Sequence, residues 1–378
     1  MKKKLLRIST IPLSLNVLLQ GQLKMMSEHY EVVAVSSPGK DLEVVAQREG
    51  VRTVVVPMER HISPLKDLVS LFKLIWLFLK EKPDIVHSLT PKAGLLSMMA
   101  AWICRVPVRI HTFTGLVFPS VTGWKRKVVM FTDRLTCFCA NYINPEGLGV
   151  KRNMEEFHIT SKPLHIIGNG NVNGIDLSYF SRSEEVMAAA QPYLDANSFT
   201  FCFVGRMVRD KGINELVSAF CRLYEQNKSL RMILVGPFED NLDPVLPETK
   251  EQILQHPGIQ FMDWQDDIRP FLAVSDVFVF PSYREGFPNV VIQAGAMGLP
   301  CIVTDINGCN EIIIDGQNGV IIPAKDESAL YDAMLDFSTN DEKVEALARV
   351  ARNMIAERYG RQALWKALLE VYQQLGKE

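Results

Sequence analysis

The sequence predicts an α/β protein of two Rossmann-like domains, each a parallel sheet clothed in helices. Three observations lead there. At 378 residues the chain exceeds what one hydrophobic core usually serves. Short apolar runs of strand character alternate with helix-period segments almost throughout, the pattern of repeated βαβ units. One Gly/Asn run, GNGNVNGID at 168–176, is too irregular for either element and separates two such series.

The elements follow in order. The opening MKKKLLRIST has the basic start of a signal peptide. Arg7, Ser9 and Thr10 interrupt its apolar run, and no small-residue cleavage site follows. A first strand over 4–8 is therefore expected. Further strands are expected at 30–35, 52–56, 85–88, 108–111 and 142–144, with helices between them, clearest at 65–80 and 93–104. The most apolar stretch, LVSLFKLIWLFL at 68–79, is cut by Lys73 and falls short of the ~18 residues that span a bilayer. It reads as a core helix. The second series of strands is expected at 164–167, 200–204, 231–235, 259–261, 277–280, 301–303 and 319–321.

The domains are thus 1–167 and 168–360, and a last helix within 361–378 is expected to pack back on the first. Gly168, Gly170 and Gly174 are spaced G-x-G-x(3)-G, and no clear helix follows them, so 168–176 reads as a hinge rather than a dinucleotide loop. In such folds ligands lie outside the C-terminal ends of the strands.

Composition narrows the function. A formal net charge of −2 supplies no global basic field, so a nucleic-acid partner is not expected. Seven cysteines, an odd number scattered through apolar segments, make no disulfide framework. Cys137 and Cys139 have no second pair to complete a zinc site. Reduced thiols in a cytosolic protein are expected.

Two segments carry chemistry. In PSYREGFPNVVIQ (281–293), Glu285 lies in a Gly/Pro-punctuated loop after an apolar strand. A helix opens at about Pro288 or Asn289, and Gln293 sits one turn inside it. Backbone amides of Gly286–Asn289 can face an anion while the acid holds a polyol beside it. Phosphate beside sugar is the chemistry of a nucleotide-sugar. In FVGRMVRDKGINELVSAF (203–220), a buried strand ends at Val204 and an amphipathic helix starts near Gly212. Arg206 and Lys211 then sit on an exposed loop at the sheet's C-terminal edge, where a diphosphate would lie; a merely solvated basic loop is the other reading. Departure of a diphosphate needs a divalent metal or fixed cations and dipoles. The chain holds no D-x-D triplet and no short-spaced histidine pair, which favours Arg206, Lys211 and the amides, with no metal and no cofactor.

Together with SLNVLLQGQL, KPDIVHSLTPKAG, HTFTG and NGID, these segments resemble glycosyltransferase family 4 over nearly the whole chain. The family's E-x(7)-E signature is present with Gln293 in place of the second acid. The resemblance implies the GT-B fold, two Rossmann-like domains with parallel sheets facing a central cleft, the first acceptor-side and the second donor-binding. It implies a hexosyl- or N-acetylhexosaminyltransferase that uses a UDP-sugar without metal and retains anomeric configuration. The acceptors would be saccharides on polyprenyl diphosphate, as in capsule and O-antigen assembly. On that carry-over Arg206 and Lys211 contact the diphosphate and Glu285 the donor sugar. Gln293 takes the ribose, Trp264 and Gln265 shape the nucleobase pocket, and Gly205, Gly286, Phe287, Pro288 and Asn289 complete the donor site. Many relatives place a histidine directly before Gly115; Thr114 stands there, and His111, three residues earlier, is either a catalytic group or a structural histidine.

The family context also implies peripheral attachment to the inner face of the cytoplasmic membrane. Lys2, Lys3 and Lys4, and Trp124-Lys125-Arg126-Lys127 with Arg134, are the basic clusters that would serve, unless they are solvated faces. Two alternatives stay open: a GT-B nucleotide-sugar epimerase, and an inactive scaffold of a glycan-synthesis complex, which Gln293 suggests.

Overall fold

The computed structural model describes residues 2–59, 63–241 and 243–377 and divides into two compact units. One is Met1–Gly174 with Arg361–Glu378; the other is Ile175–Gly360.

The first unit is built on six parallel strands in the order β3-β2-β1-β4-β5-β6. They are β1 (Lys4–Ile8), β2 (Glu31–Ser36), β3 (Arg52–Val55), β4 (Ile85–Leu89), β5 (Val108–Phe113) and β6 (Tyr142–Pro145). The central strands are near-continuous apolar runs because helices cover both faces. Side chains alternate accordingly: Leu6, Ile8, Val33 and Val35 join the core under helices Pro64–Glu81 and Pro91–Ile103. Leu5, Val32 and Ala34 join the opposite core, with Leu364, Leu368 and Tyr372 of helix Arg361–Leu375. That last helix is integral to the unit. Its Tyr372 hydroxyl accepts a hydrogen bond from the fully buried Arg7 of β1, Nη1 to Oη 2.6 Å.

Strand order reverses between β1 and β4. There Thr10 and Thr90 share a hydroxyl–hydroxyl bond of 2.8 Å, and the Ala93 N–H donates to Thr10 Oγ1 at 3.1 Å, joining the loops that follow the two strands.

The second unit repeats the plan, in the order β12-β11-β10-β7-β8-β9. Its strands are β7 (Phe199–Val204), β8 (Leu230–Val235), β9 (Ile259–Met262), β10 (Val277–Phe280), β11 (Cys301–Thr304) and β12 (Gly319–Ile322). Here the order reverses between β7 and β10. One continuous core, with members from Ile175 to Tyr359, serves the whole unit.

Two expectations change. The strand expected at 164–167 is a single bridge, Ile143↔Leu164, beside β6 of the first unit. Pro163 cannot donate to a ladder, and Gly168 turns away at φ +60°. The helix Pro64–Glu81 is only half a core helix. Ser70, Leu74, Leu77 and Phe78 are buried, while Leu65, Leu68, Val69, Phe72, Trp76 and Leu79 form a second apolar face that is exposed. All seven cysteines are free.

Candidate active site

The geometry of interest lies at the C-terminal edge of the second sheet, where β7 and β10 run side by side. Both strands are parallel, so the loop after each emerges at the same edge, at the point of reversal that open α/β sheets use for ligands. Gly212 closes the first loop at φ +72°, and a Cβ there would lie 2.2 Å from the Pro281 carbonyl oxygen. Only glycine permits both the left-handed turn and that approach. The two loops are then tied together. The Tyr283 N–H donates to the Asp210 carbonyl at 2.8 Å, and Arg284 pairs with the Asp210 carboxylate at 3.1 Å.

This contact brings together two of the residues the sequence points to. Lys211 Nζ pairs with the Glu285 carboxylate, which also accepts from the buried Ser282 hydroxyl at 3.1 Å. The side chains of Lys211 and Glu285 are only 15% and 16% exposed, and the ammonium lies 5.5 Å from the Phe280 ring centroid. The expected exposed position of Lys211 is thus corrected: the Gly212 turn folds it inward. Arg206 does lie outside, its side chain 43% exposed, and pairs with Glu239 from the loop after β8. Gly205, just before it, packs its backbone against Gly236, where a Cβ would meet the Gly205 oxygen at 2.0 Å.

The second loop leads into helix Asn289–Ala296. Phe287 is buried against Tyr359, ring centroids 5.6 Å apart, which fixes the turn before the helix. Gly308, at φ +76°, lets the loop after β11 press on Gly286–Pro288; a Cβ would lie 2.6 Å from Pro288 Cδ. Pro288 caps the helix without a side-chain bond, and no acid occupies the first turn. The positive end of the helix dipole is therefore left uncompensated by the helix's own residues. Gln293 sits one turn further in, partly buried.

Trp264 and Gln265 follow β9, two strands from β7 at the sheet edge. Trp264 is 63% exposed, and its indole N–H donates to Asp266 at 3.1 Å. His111 belongs to β5 of the first unit and is only 1% exposed. It bonds Ser88 Oγ through Nδ1 at 2.9 Å, and the ring occupies the space that a Cβ on Gly94 would need. Burial lowers its pKa to about 3, so the ring is neutral. Its partners are those of a structural histidine. Among the described residues no three His, Cys, Asp or Glu side chains gather as a metal site.

Several residues that build the site escaped sequence reasoning. Asp210 and Ser282 hold the loops together, and Thr304 of β11 donates to the Ser282 carbonyl. Tyr283 donates to Glu215 of helix Ile213–Gln226, and burial together with that carboxylate raises its pKa. The available signal was the abrupt change from VFVF to PSYRE, polar groups placed directly at a buried strand's end. A cation, a carboxylate and a helix N-terminus at one sheet edge can hold a phosphate next to a hydroxylated ring.

Comparison with known proteins agrees. Residues 19–170 match the glycosyl transferase 4-like domain model, and residues 198–340 match the model for glycosyl transferases group 1. The chain is 31% identical to the capsular polysaccharide biosynthesis glycosyltransferase CapM of Staphylococcus aureus, over all of this chain and 98% of the relative. It is 28% identical to the Escherichia coli UDP-Gal:alpha-D-GlcNAc-diphosphoundecaprenol alpha-1,3-galactosyltransferase, over 94% of each. The fold matches Anabaena Alr3699/HepE, solved in complex with UDP, with a TM-score of 0.83 at 18% identity, covering 99% of this chain and 100% of that one.

Proposed function

This chain belongs to glycosyltransferase family 4, with the GT-B fold, and from that premise we propose that it moves a sugar from a UDP-sugar to a polyprenyl-diphosphate-linked saccharide in surface-glycan assembly. The reaction retains anomeric configuration, needs no metal, and takes place at the inner face of the cytoplasmic membrane. The observation that carries the donor half is the meeting of Lys211 and Glu285 where the loops after β7 and β10 are tied together. Glu285 would accept from donor-sugar hydroxyls. Lys211, Arg206 and the first-turn amides of helix Asn289–Ala296 would meet the charge that develops on the leaving diphosphate, the step at which fixed dipoles contribute most. Gln293 would touch the ribose, Trp264 and Gln265 the base. The named relatives support the acceptor half: one acts on a diphosphoundecaprenol acceptor, another serves capsule synthesis. Intact Arg206, Lys211 and Glu285 favour catalysis over a scaffold.

Thermal unfolding with a panel of nucleotide-sugars tests the donor, since a ligand at 100 times its Kd adds ~2.7 kcal/mol. Protection by a UDP-sugar is expected. Transfer is then followed with and without EDTA, and the anomeric configuration of the product is read by NMR. Activity abolished by EDTA and restored by magnesium or manganese would refute the metal-free mechanism. Conversion of the donor without acceptor would instead make the chain an epimerase.

A further inference from the structure

On one face of the first sheet three helices lie side by side, Pro91–Ile103 between Pro64–Glu81 and Gly123–Cys139. Their inner sides fill the core. Their outer sides are unusual for a surface. The exposed stripe of Pro64–Glu81, Leu65 to Leu79, recurs every three or four residues along the 18-residue helix. Trp76 in it is 65% exposed and stands 5.2 Å from the Lys80 ammonium. The neighbouring helices continue the surface. Trp102 meets Phe138 at 5.9 Å between ring centroids, both exposed, and Phe131 and Trp124 lie beyond, Trp124 at 68% exposure.

The balance of charge on these helices is positive. They carry eight Lys or Arg and three acids. Each acid is taken up: Asp67 is held by Lys92 at 2.7 Å, Glu81 by Arg52 and Lys4 at 2.6 and 2.9 Å, and Asp133 is buried. Lys73, Lys80, Lys125 and Lys127 are exposed among the apolar side chains. The whole chain is at −2, so this cationic face is local.

We propose that this three-helix face lies on an anionic lipid bilayer, with the Pro64–Glu81 stripe and the Trp124 region in the headgroup zone. The chemistry selects that occupant. Aromatic and aliphatic side chains flanked by lysines suit an interface where the ring or chain enters and the ammonium stays with phosphate. Two copies facing each other here would set cation against cation. A nucleic acid would have no use for Leu65, Leu68, Val69 and Leu79. No described helix is long and apolar enough to cross a membrane, so the face rests on the surface. The other basic cluster is engaged by groups of the first unit: Lys2 bonds the Ser27 carbonyl, Lys3 that of Gly376, and Lys4 pairs with Glu81. The inference rests on the proposed function for its purpose, bringing the acceptor-side unit to lipid-borne saccharides.

Flotation of the full chain with vesicles of phosphatidylcholine, with and without phosphatidylglycerol, tests it. Wild type should float with the anionic vesicles, and its tryptophan emission should shift to the blue. Phe72→Ser with Trp76→Ser should weaken binding at least about tenfold, since each removes a large apolar group from the interface. Lys125→Gln with Lys127→Gln should weaken it about thirtyfold, from ~1 kcal/mol for each cation near the surface. Lys2→Gln with Lys3→Gln should change it less than about twofold. Circular dichroism and sedimentation accompany each variant, and because the altered side chains are exposed, folding should be unchanged. Wild type that fails to float, binding that survives the Phe72/Trp76 change, or a lipid-free dimer abolished by that change would overturn the proposal. The readouts separate the two readings: flotation without protection by any nucleotide-sugar sinks the enzymatic one alone, and protection without flotation sinks this one alone.

Discussion

The Lys211–Glu285 pair makes a prediction that separates structure from catalysis. Consider Lys211→Met, Glu285→Gln and the double variant. At 15% and 16% exposure the pair lies between two regimes. Exposed pairs contribute ~0.2–1 kcal/mol, while removing one partner of a fully buried pair costs ~3–5. A donor-free loss of ~1–3 kcal/mol is expected for each single variant, because each leaves a largely desolvated charge without its partner. The double variant leaves no such charge and should recover most of that loss. Its interaction energy in a double-mutant cycle, the sum of the two single losses less that of the double, should then be at least ~1–3 kcal/mol. Turnover should behave differently. If Lys211 meets the leaving diphosphate, its removal lowers kcat by ~10²–10³, and the second substitution restores nothing. Urea unfolding followed in the second unit, and steady-state kinetics on the same four proteins, supply both readouts. Strictly additive stability losses would refute the coupling. Recovery of turnover in the double variant would refute the catalytic assignment and leave the pair a structural clasp.

Other consequences are as direct. Gln293→Ala should chiefly raise the donor KM, whereas Glu285→Ala should chiefly lower kcat. Gln293→Glu should tighten the donor by no more than about tenfold, as only ~1.4 kcal/mol separates a neutral from a charge-assisted bond; a kcat effect at constant KM from Gln293→Ala would place it among the reacting groups. Asp133 gives a pH signature. Burial raises its pKa from 3.8 to about 7. The folded state therefore keeps a proton that the unfolded chain releases in that window, and stability falls as pH rises from about 4 to about 7, by at most ~4 kcal/mol. Asp133→Asn should gain on wild type across that range and hold its advantage above it. A pH-independent difference in urea midpoints would contradict the assignment. Gly212→Ala should destabilise by well over ~1 kcal/mol, from the left-handed φ and the Pro281 clash together, and should lower turnover by displacing Lys211; unchanged melting would show that the loop contact is dispensable.

The twelve strands among the described residues were legible, most of them as apolar runs bounded by turn residues, a local property. The apolar segment at 164–167 looked the same and failed because Pro163 and Gly168 leave it room for one bridge. The polar loops after β7 and β10 were legible as the site for a similar reason: charged residues directly follow buried strands. The partners were not. Nothing local says that Lys211 turns inward to Glu285, or that Asp210 reads Arg284, since both depend on two strands distant in sequence becoming neighbours. His111 and the second apolar face of Pro64–Glu81 were opaque from the opposite side. Type and spacing alone do not say whether a histidine or a leucine faces core or solvent when neighbouring helices decide it.

The return of helix Arg361–Leu375 to the first sheet has a consequence for how the polypeptide is made. The sheet of the first unit emerges first from the ribosome, yet Arg7 cannot meet Tyr372, nor Leu5 its neighbours Leu364 and Leu368, until more than three hundred further residues have been added. Residues 175–360 need nothing from beyond themselves to close their own core. Assembly order thus inverts synthesis order: the later unit can finish first, while the earlier one waits with an uncovered apolar flank. At ~5–20 residues per second that wait lasts tens of seconds, the interval in which a chaperone holding the nascent chain would matter most.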